Sequence, residues 1–249
     1  MMKPKEIRRQ ARISLEGNYF FAVNLTISLT LFTMALTLLL QSSNLAVSAR
    51  SFDQALFWIL TVIVTILSAL LSVGLIRFLY SLCLKKPVVQ PGMLFYAFRM
   101  QPDTFILTFV FRYLVSYIWF APALYFYLQL PLAVDPTAIP PELPALLARV
   151  AACGLAAVIP AVLCSLPWCL TVFVLLDDPD CSPAEALRTS RILMQGQYLR
   201  VLRLWLGFLP LYLLSLTSMG IGLLWVRPYF YVSMGHLYLE LRGDRAEVC

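Results

Sequence analysis

Six apolar runs, each long enough to cross a bilayer, set the terms for this chain. They cover residues 19–40, 55–84, 104–128, 145–176, 198–217 and 221–241. About 20 apolar residues cross a hydrocarbon core of roughly 30 Å as one helix. In lipid every backbone polar group must be satisfied within the protein, so such runs fold as helices. A water-soluble domain cannot hide them: 61% of the 249 residues are hydrophobic and 13% are charged, against roughly 45–50% and 25% in soluble domains. The mean hydropathy of +0.81 points the same way. The expected fold class is all-α: one polytopic membrane domain over residues 1–249 with six transmembrane helices.

A polar cassette occurs twice. Residues 4–19 read P-K-E-I-R-R-Q-A-R-I-S-L-E-G-N-Y, and residues 183–198 read P-A-E-A-L-R-T-S-R-I-L-M-Q-G-Q-Y. Seven positions are identical: Pro4/Pro183, Glu6/Glu185, Arg9/Arg188, Arg12/Arg191, Ile13/Ile192, Gly17/Gly196 and Tyr19/Tyr198. An apolar run follows each copy, so the chain reads as an internal repeat. Ser182, Pro183 and Glu185 form a capping box with proline at the first helical position. Gly17 and Gly196 are helix stops. At helical spacing, Ile7, Ala11, Ser14 and Leu15 share one face, as do Ala186, Leu187, Ser190, Leu193 and Met194. Arg9 and Arg12 lie opposite the first face, and Arg188 and Arg191 opposite the second. Two amphipathic helices are therefore expected in the cytoplasmic membrane interface, over 3–17 and 183–195. A third, degenerate one is weighed over 93–100. Ile13 and Ile192 fall within the polar arcs, so both are expected to pack against protein on a second side.

Lysine and arginine placement orients the chain. Fifteen of the 19 basic residues fall in the N-terminal segment, the second-to-third and fourth-to-fifth connections and the tail. Arg50, Arg149 and Arg227 lie on the other side, and Arg112 lies inside the third run. The positive-inside rule then puts both termini in the cytoplasm of a plasma-membrane protein, with the proline-rich segment 129–145 outside. The basic N-terminal segment is not read as a cleavable signal, because no small-residue cleavage site ends the apolar run after it.

No catalytic constellation is present: no phosphate loop, zinc spacing or nucleophile elbow appears. The expectation is a non-enzymatic protein with no cofactor and no metal site. The six cysteines lack C-x-x-C spacing and are expected as free thiols. Asp177, Asp178 and Asp180 precede the second cassette, where negative charge stabilises a helix N-terminus. His236, the one histidine, is expected to be hydrogen-bonded in packing. Arg112 lies eight residues into its run, about 12 Å deep. It is expected to snorkel or to find a polar partner. Arg227, beside Pro228, is the corresponding charge on the outer side. Arg112, Arg227 and His236 are the intramembrane polar candidates. Pro122, Pro160, Pro167, Pro210 and Pro228 interrupt the last four runs, and broken helices near polar residues occur in transporters.

The opening M-K-P-K-E-I-R-R-Q-A-R-I-S-L-E-G-N-Y, the segment D-D-P-D-C-S-P-A-E-A-L-R-T-S-R-I-L-M-Q-G and the ending G-I-G-L-L-W-V-R-P-Y together resemble the bacterial integral membrane family "domain of unknown function 975". The resemblance covers nearly the whole chain. It implies a six-span plasma-membrane protein and no reaction. Two functional expectations stand beside it. In the first, Arg9, Arg12, Arg188 and Arg191 hold anionic membrane lipid, or a partner protein or second copy of the chain. In the second, the chain is a small transporter or permease subunit for an anionic solute. Nucleic acid is not an expected partner, because the positive charge sits at the ends of the apolar runs.

Overall fold

A computed structural model of the chain describes residues 2–43, 51–84, 95–99, 102–129 and 143–246. Among the described residues every regular element is helical. In chain order these are α1 (Pro4–Leu15), α2 (Tyr19–Ser42), α3 (Ser51–Cys83), α4 (Tyr96–Arg99), α5 (Pro102–Tyr117) and α6 (Ala121–Tyr127). They continue with α7 (Leu143–Ser165), α8 (Thr171–Asp177), α9 (Pro183–Met194), α10 (Tyr198–Leu206), α11 (Leu209–Thr217) and α12 (Leu223–Ala246). Five helical stretches are long and apolar enough to cross a membrane: Tyr19–Ser42, Phe52–Cys83, Pro102–Tyr127, Leu143–Asp177 and Tyr198–Thr217. The last helix, α12, has 24 residues but is not among them. Arg227, Ser233, His236, Glu240 and its tyrosines lower its hydropathy.

Proline explains where the long stretches break. Pro122 and Pro210 open α6 and α11, and Pro167 sits in the short tight turn Leu166–Trp168. Each lacks the N–H that would continue the helix before it. Pro160 and Pro228 instead lie inside α7 and α12. The hydroxyl row of α2 bonds back to its own helix: Thr26 donates to the Ala22 carbonyl at 2.8 Å and Thr30 to Thr26 at 2.7 Å. Such bonds let polar side chains sit in an apolar helix without exposing a donor. Ala157 and Ala161 are the buried residues of α7, which packs on α5 and α6.

The core sits at one end of the bundle. There most of the C-terminal half of α3, α8 from Thr171 to Leu176 and much of the second half of α12 are buried, through Val73, Phe78 and Leu79, Leu175, and Val232 and Leu237. Tyr80, Phe173 and Tyr238 form an aromatic triangle with centroids 5.7–6.0 Å apart. Elsewhere the helices show large apolar side chains: Leu39 on α2, Trp58 on α3, Leu114 on α5, Ile159 on α7 and Leu214 on α11 are each at least 60% exposed. Soluble monomers do not expose apolar surface on this scale. It is consistent with a membrane-embedded protein.

Two polar nodes fasten the core. Asp177 accepts from the Tyr238 hydroxyl at 3.0 Å and from the Tyr80 hydroxyl at 3.4 Å, and pairs with Arg242. It therefore ties α8 to α3 and α12, a role in addition to the charge it was expected to lend the start of α9. The cause is its place on the last turn of α8, five residues before the Ser182 cap. In the second node Glu240 pairs with Arg200, accepts from the Met2 N–H, and Arg200 donates to the Met2 carbonyl. The starts of α1 and α10 are thus joined to the end of α12.

The two cassettes form helices with matching ends. Glu16 (φ −55°, ψ 130°) and Gln195 (φ −58°, ψ 127°) are followed by Gly17 (φ 85°) and Gly196 (φ 77°). The paired angles make two type II turns, which need glycine at the positive φ. Asn18 N–H donates to Leu15 and Gln197 N–H to Met194, each at 3.0 Å. Ile7, Ala11 and Leu15 are buried in α1, and Ala186, Ser190, Leu193 and Met194 in α9. The second-side packing expected of the isoleucines is not found: Ile13 is 54% exposed and Ile192 39%. Each helix docks through one face only, and the isoleucines lie off that face. Of the third expected helix only α4 is described, a single turn on which Arg77 stacks over the Tyr96 ring at 3.4 Å.

The α9 cap carries a pH prediction. Ser182 Oγ accepts from the Glu185 N–H at 3.3 Å, while the Glu185 carboxylate accepts from the Ser182 hydroxyl at 2.8 Å and its N–H at 3.0 Å. These bonds, the hydroxyl's first, hold the Glu185 carboxyl below its ordinary value of 4.5. A depressed carboxyl contributes stability that is complete above its unfolded value and lost as pH falls through the folded one. Protection of the Glu185 and Ala186 amides against exchange, relative to the intrinsic rate, should therefore fall below about pH 4.5. In Ser182→Ala that acid-dependent step should be absent; an unchanged step in the variant would count against the cap.

Candidate functional site

The polar face of α1 builds the first candidate. Lys5, Arg8, Arg9 and Arg12 recur at three- and four-residue spacing, so their side chains leave the helix on one side. With Tyr229 of α12 they line a cavity of about 270 Å³. Arg8 donates to the Gly207 carbonyl at 2.9 Å, and the Tyr229 hydroxyl donates to the Arg8 carbonyl at 3.1 Å. Arg9 faces Glu6 at 3.9 Å, with its side chain 73% exposed. An exposed pair of this kind is worth only about 0–1 kcal/mol, so most of the charge of Arg9 is left for other partners.

A second cavity adjoins the first. It measures about 500 Å³ and shares Arg12 and Tyr229 with the basic one. Its remaining lining is Leu15, Tyr19, Leu211, Trp225 and Val226, with Glu16 the one acid. The Tyr19 hydroxyl donates to the Trp225 carbonyl at 3.2 Å. Together they form an apolar trough that ends in a basic lip. His236 supports the arrangement from behind: its Nε2 lies 2.8 Å from Ser14 Oγ, which fixes α1 to α12.

The second cassette is docked differently. Ser190 donates to the Pro167 carbonyl at 2.9 Å, so α9 covers the break between α7 and α8. Arg188 and Arg191 are exposed on its outer side. Arg227 is also exposed, the fifth residue of α12. Arg112 is half-buried and lines a separate cavity between helices. Among the described residues it makes no hydrogen bond or ion pair, so of the two arms of the expectation, snorkelling or a polar partner, the second is not met. Cys83, Cys153, Cys164, Cys169 and Cys181 are free; Cys249 lies outside the described residues. No group of three or more histidine, cysteine or acidic residues is placed to hold a metal, among the described residues.

Sequence reading singled out Arg9 and Arg12 but not Lys5, Arg8 or Tyr229. The spacing of Lys5 and Arg8 to Arg9 and Arg12 could have found the first two. Nothing local to Tyr229 links it to a helix more than 200 residues away.

A family model described as "Protein of unknown function (DUF975)" matches residues 1–245. The chain belongs to this family. No curated protein and no solved structure matches it. For the DUF975 fold the paired cavities on α1 are therefore read from their own chemistry.

Proposed function

We propose that this DUF975 protein is a non-enzymatic plasma-membrane protein that holds an anionic lipid at α1, headgroup on the basic lip and acyl chain in the apolar trough. In this reading both termini are cytoplasmic, α1 and α9 are duplicated amphipathic helices at the inner surface, and the Trp225–Tyr229 turn of α12 lies beside α1 at that surface, so Arg227 is on the inner side and not the outer one expected of it. The observation that carries it is the continuity of the two cavities through Arg12 and Tyr229. A lipid needs such a junction, because one end is charged and the other apolar. Ile13 and Ile192, exposed beside the arginines, then meet acyl chains and not protein.

The energetics favour headgroups as partners. Each basic residue near an anionic surface contributes roughly 1 kcal/mol, more than the Glu6–Arg9 pair offers. Replacing Arg9, Arg12, Arg188 and Arg191 together with glutamine should leave the protein folded in detergent. It should lower the preference for phosphatidylglycerol over phosphatidylcholine by about fivefold per arginine engaged. Native mass spectrometry of the lipid adducts reads this directly, and added salt should reduce the preference in the unsubstituted protein. An unchanged preference would sink the lipid reading.

A further inference from the structure

We propose that a second, internal site binds a small organic carboxylate, with Arg112 as its counter-ion. The site is a cavity of about 330 Å³ where α3, α5, α7, α8, α10 and α12 come together. It is separate from the lipid trough and does not depend on that reading.

The polar groups define the ligand. Arg112 lines the cavity with no partner, and no carboxylate lines it, among the described residues. A guanidinium is never deprotonated in proteins, so in an apolar bundle its charge calls for an anion. One arginine balances one negative charge; a dianion would leave the site with a net charge of its own. Trp205 lines the same cavity, and its indole N–H is buried without a hydrogen-bond partner. The Ser116 hydroxyl also lacks one among the described residues. These are two further donors for carboxylate oxygens. Ser72 and Ser165 differ: each already donates to its own helix, at 2.6 and 2.8 Å, and can only accept.

The walls define the rest of the molecule. Phe109, Phe173 and Phe230 are aromatic, and Met234 and Cys169 are soft and apolar. The volume lies at the small end of ligand pockets, which run from about 300 to 1,000 Å³. A single carboxylate on a compact apolar or aromatic body fits both features. Helix breaks flank the site: the Leu166–Trp168 turn separates Ser165 from Cys169, and α10 ends one residue after Trp205. Interrupted helices are where membrane proteins place ligands between spans.

The test uses the full chain in phosphatidylcholine nanodiscs, with benzoate, neutral benzamide and inorganic phosphate as probes. Equilibrium binding should show saturable benzoate uptake, weaker benzamide uptake and no phosphate uptake. Arg112→Gln should weaken benzoate by about tenfold or more, the loss of a charge-assisted bond. Trp205→Phe and Ser116→Ala should each weaken it less, and since neither alters the charge of the bundle they carry the test if Arg112→Gln proves unstable. The phosphatidylglycerol preference should be unchanged in all three, which separates this site from the α1 site. Equal binding of benzoate and benzamide, tighter binding of phosphate, no benzoate binding, or benzoate binding indifferent to all three substitutions would each overturn the proposal.

Discussion

Glu240→Ala is expected to destabilise the protein by about 3–5 kcal/mol, because it leaves a buried arginine charge uncompensated. The side chains of Arg200 and Glu240 are only 13% and 7% exposed. Arg200 already has Nε and one terminal nitrogen buried without a partner. Its remaining bonds go to Glu240 and the Met2 carbonyl. Removing the carboxylate also strips the acceptor of the Met2 N–H, so α1 should loosen at its start. Replacing both partners, as in Arg200→Met with Glu240→Leu, should recover most of the loss, since apolar residues of similar size avoid the desolvation cost. Thermal unfolding in detergent measures both variants. A loss below about 1 kcal/mol for Glu240→Ala would place the pair among surface ion pairs of little consequence.

Phe208→Ala should cost a similar amount, about 3–5 kcal/mol for a large-to-small change at a closed site. Phe208 is fully buried where α10 gives way to α11. Its ring meets Tyr229 edge-on at 5.0 Å and Phe230 at 5.4 Å. Aromatic pairs of this kind add about 0.5–1.5 kcal/mol each beyond burial. The change has a functional consequence as well. Tyr229 forms the wall shared by the basic and apolar cavities, so freeing it should weaken lipid retention along with stability. Phe208→Leu should lose less of both. If Phe208→Ala unfolds no earlier than the unsubstituted protein, the packing around Tyr229 is not what fixes the site.

Local chemistry made much of the fold legible in the sequence. The start of α2 at Tyr19, the Ser182 capping box, the stops at Gly17 and Gly196 and the proline breaks all depend on residues a few positions apart. The docked faces of α1 and α9 followed from helical spacing. Long-range pairing did not. Ser14 with His236, Arg8 with Gly207 and Met2 with Glu240 join residues about 200 or more apart, and no local pattern encodes them. Ile13 and Ile192 were misread because an apolar residue on a polar arc looks the same whether it faces protein or an open surface. The pairing of Asp177 was not legible because its partners, Tyr80, Tyr238 and Arg242, come from two distant helices. For the candidate site, charge and spacing pointed to α1, while the trough beside it depends on Leu211, Trp225 and Val226, which only the packed bundle brings together.

Photo-crosslinking with phosphatidylglycerol carrying a diazirine in its acyl chain tests the lipid assignment most directly. The protein in mixed-lipid nanodiscs should be labelled at Leu211, Trp225 and Val226 above the level on the exposed face of α2. That excess should fall in the variant with Arg9 and Arg12 replaced by glutamine, and should be absent with the matching phosphatidylcholine probe. Equal labelling of the trough and of α2, the same for both headgroups, would contradict a lipid held at α1.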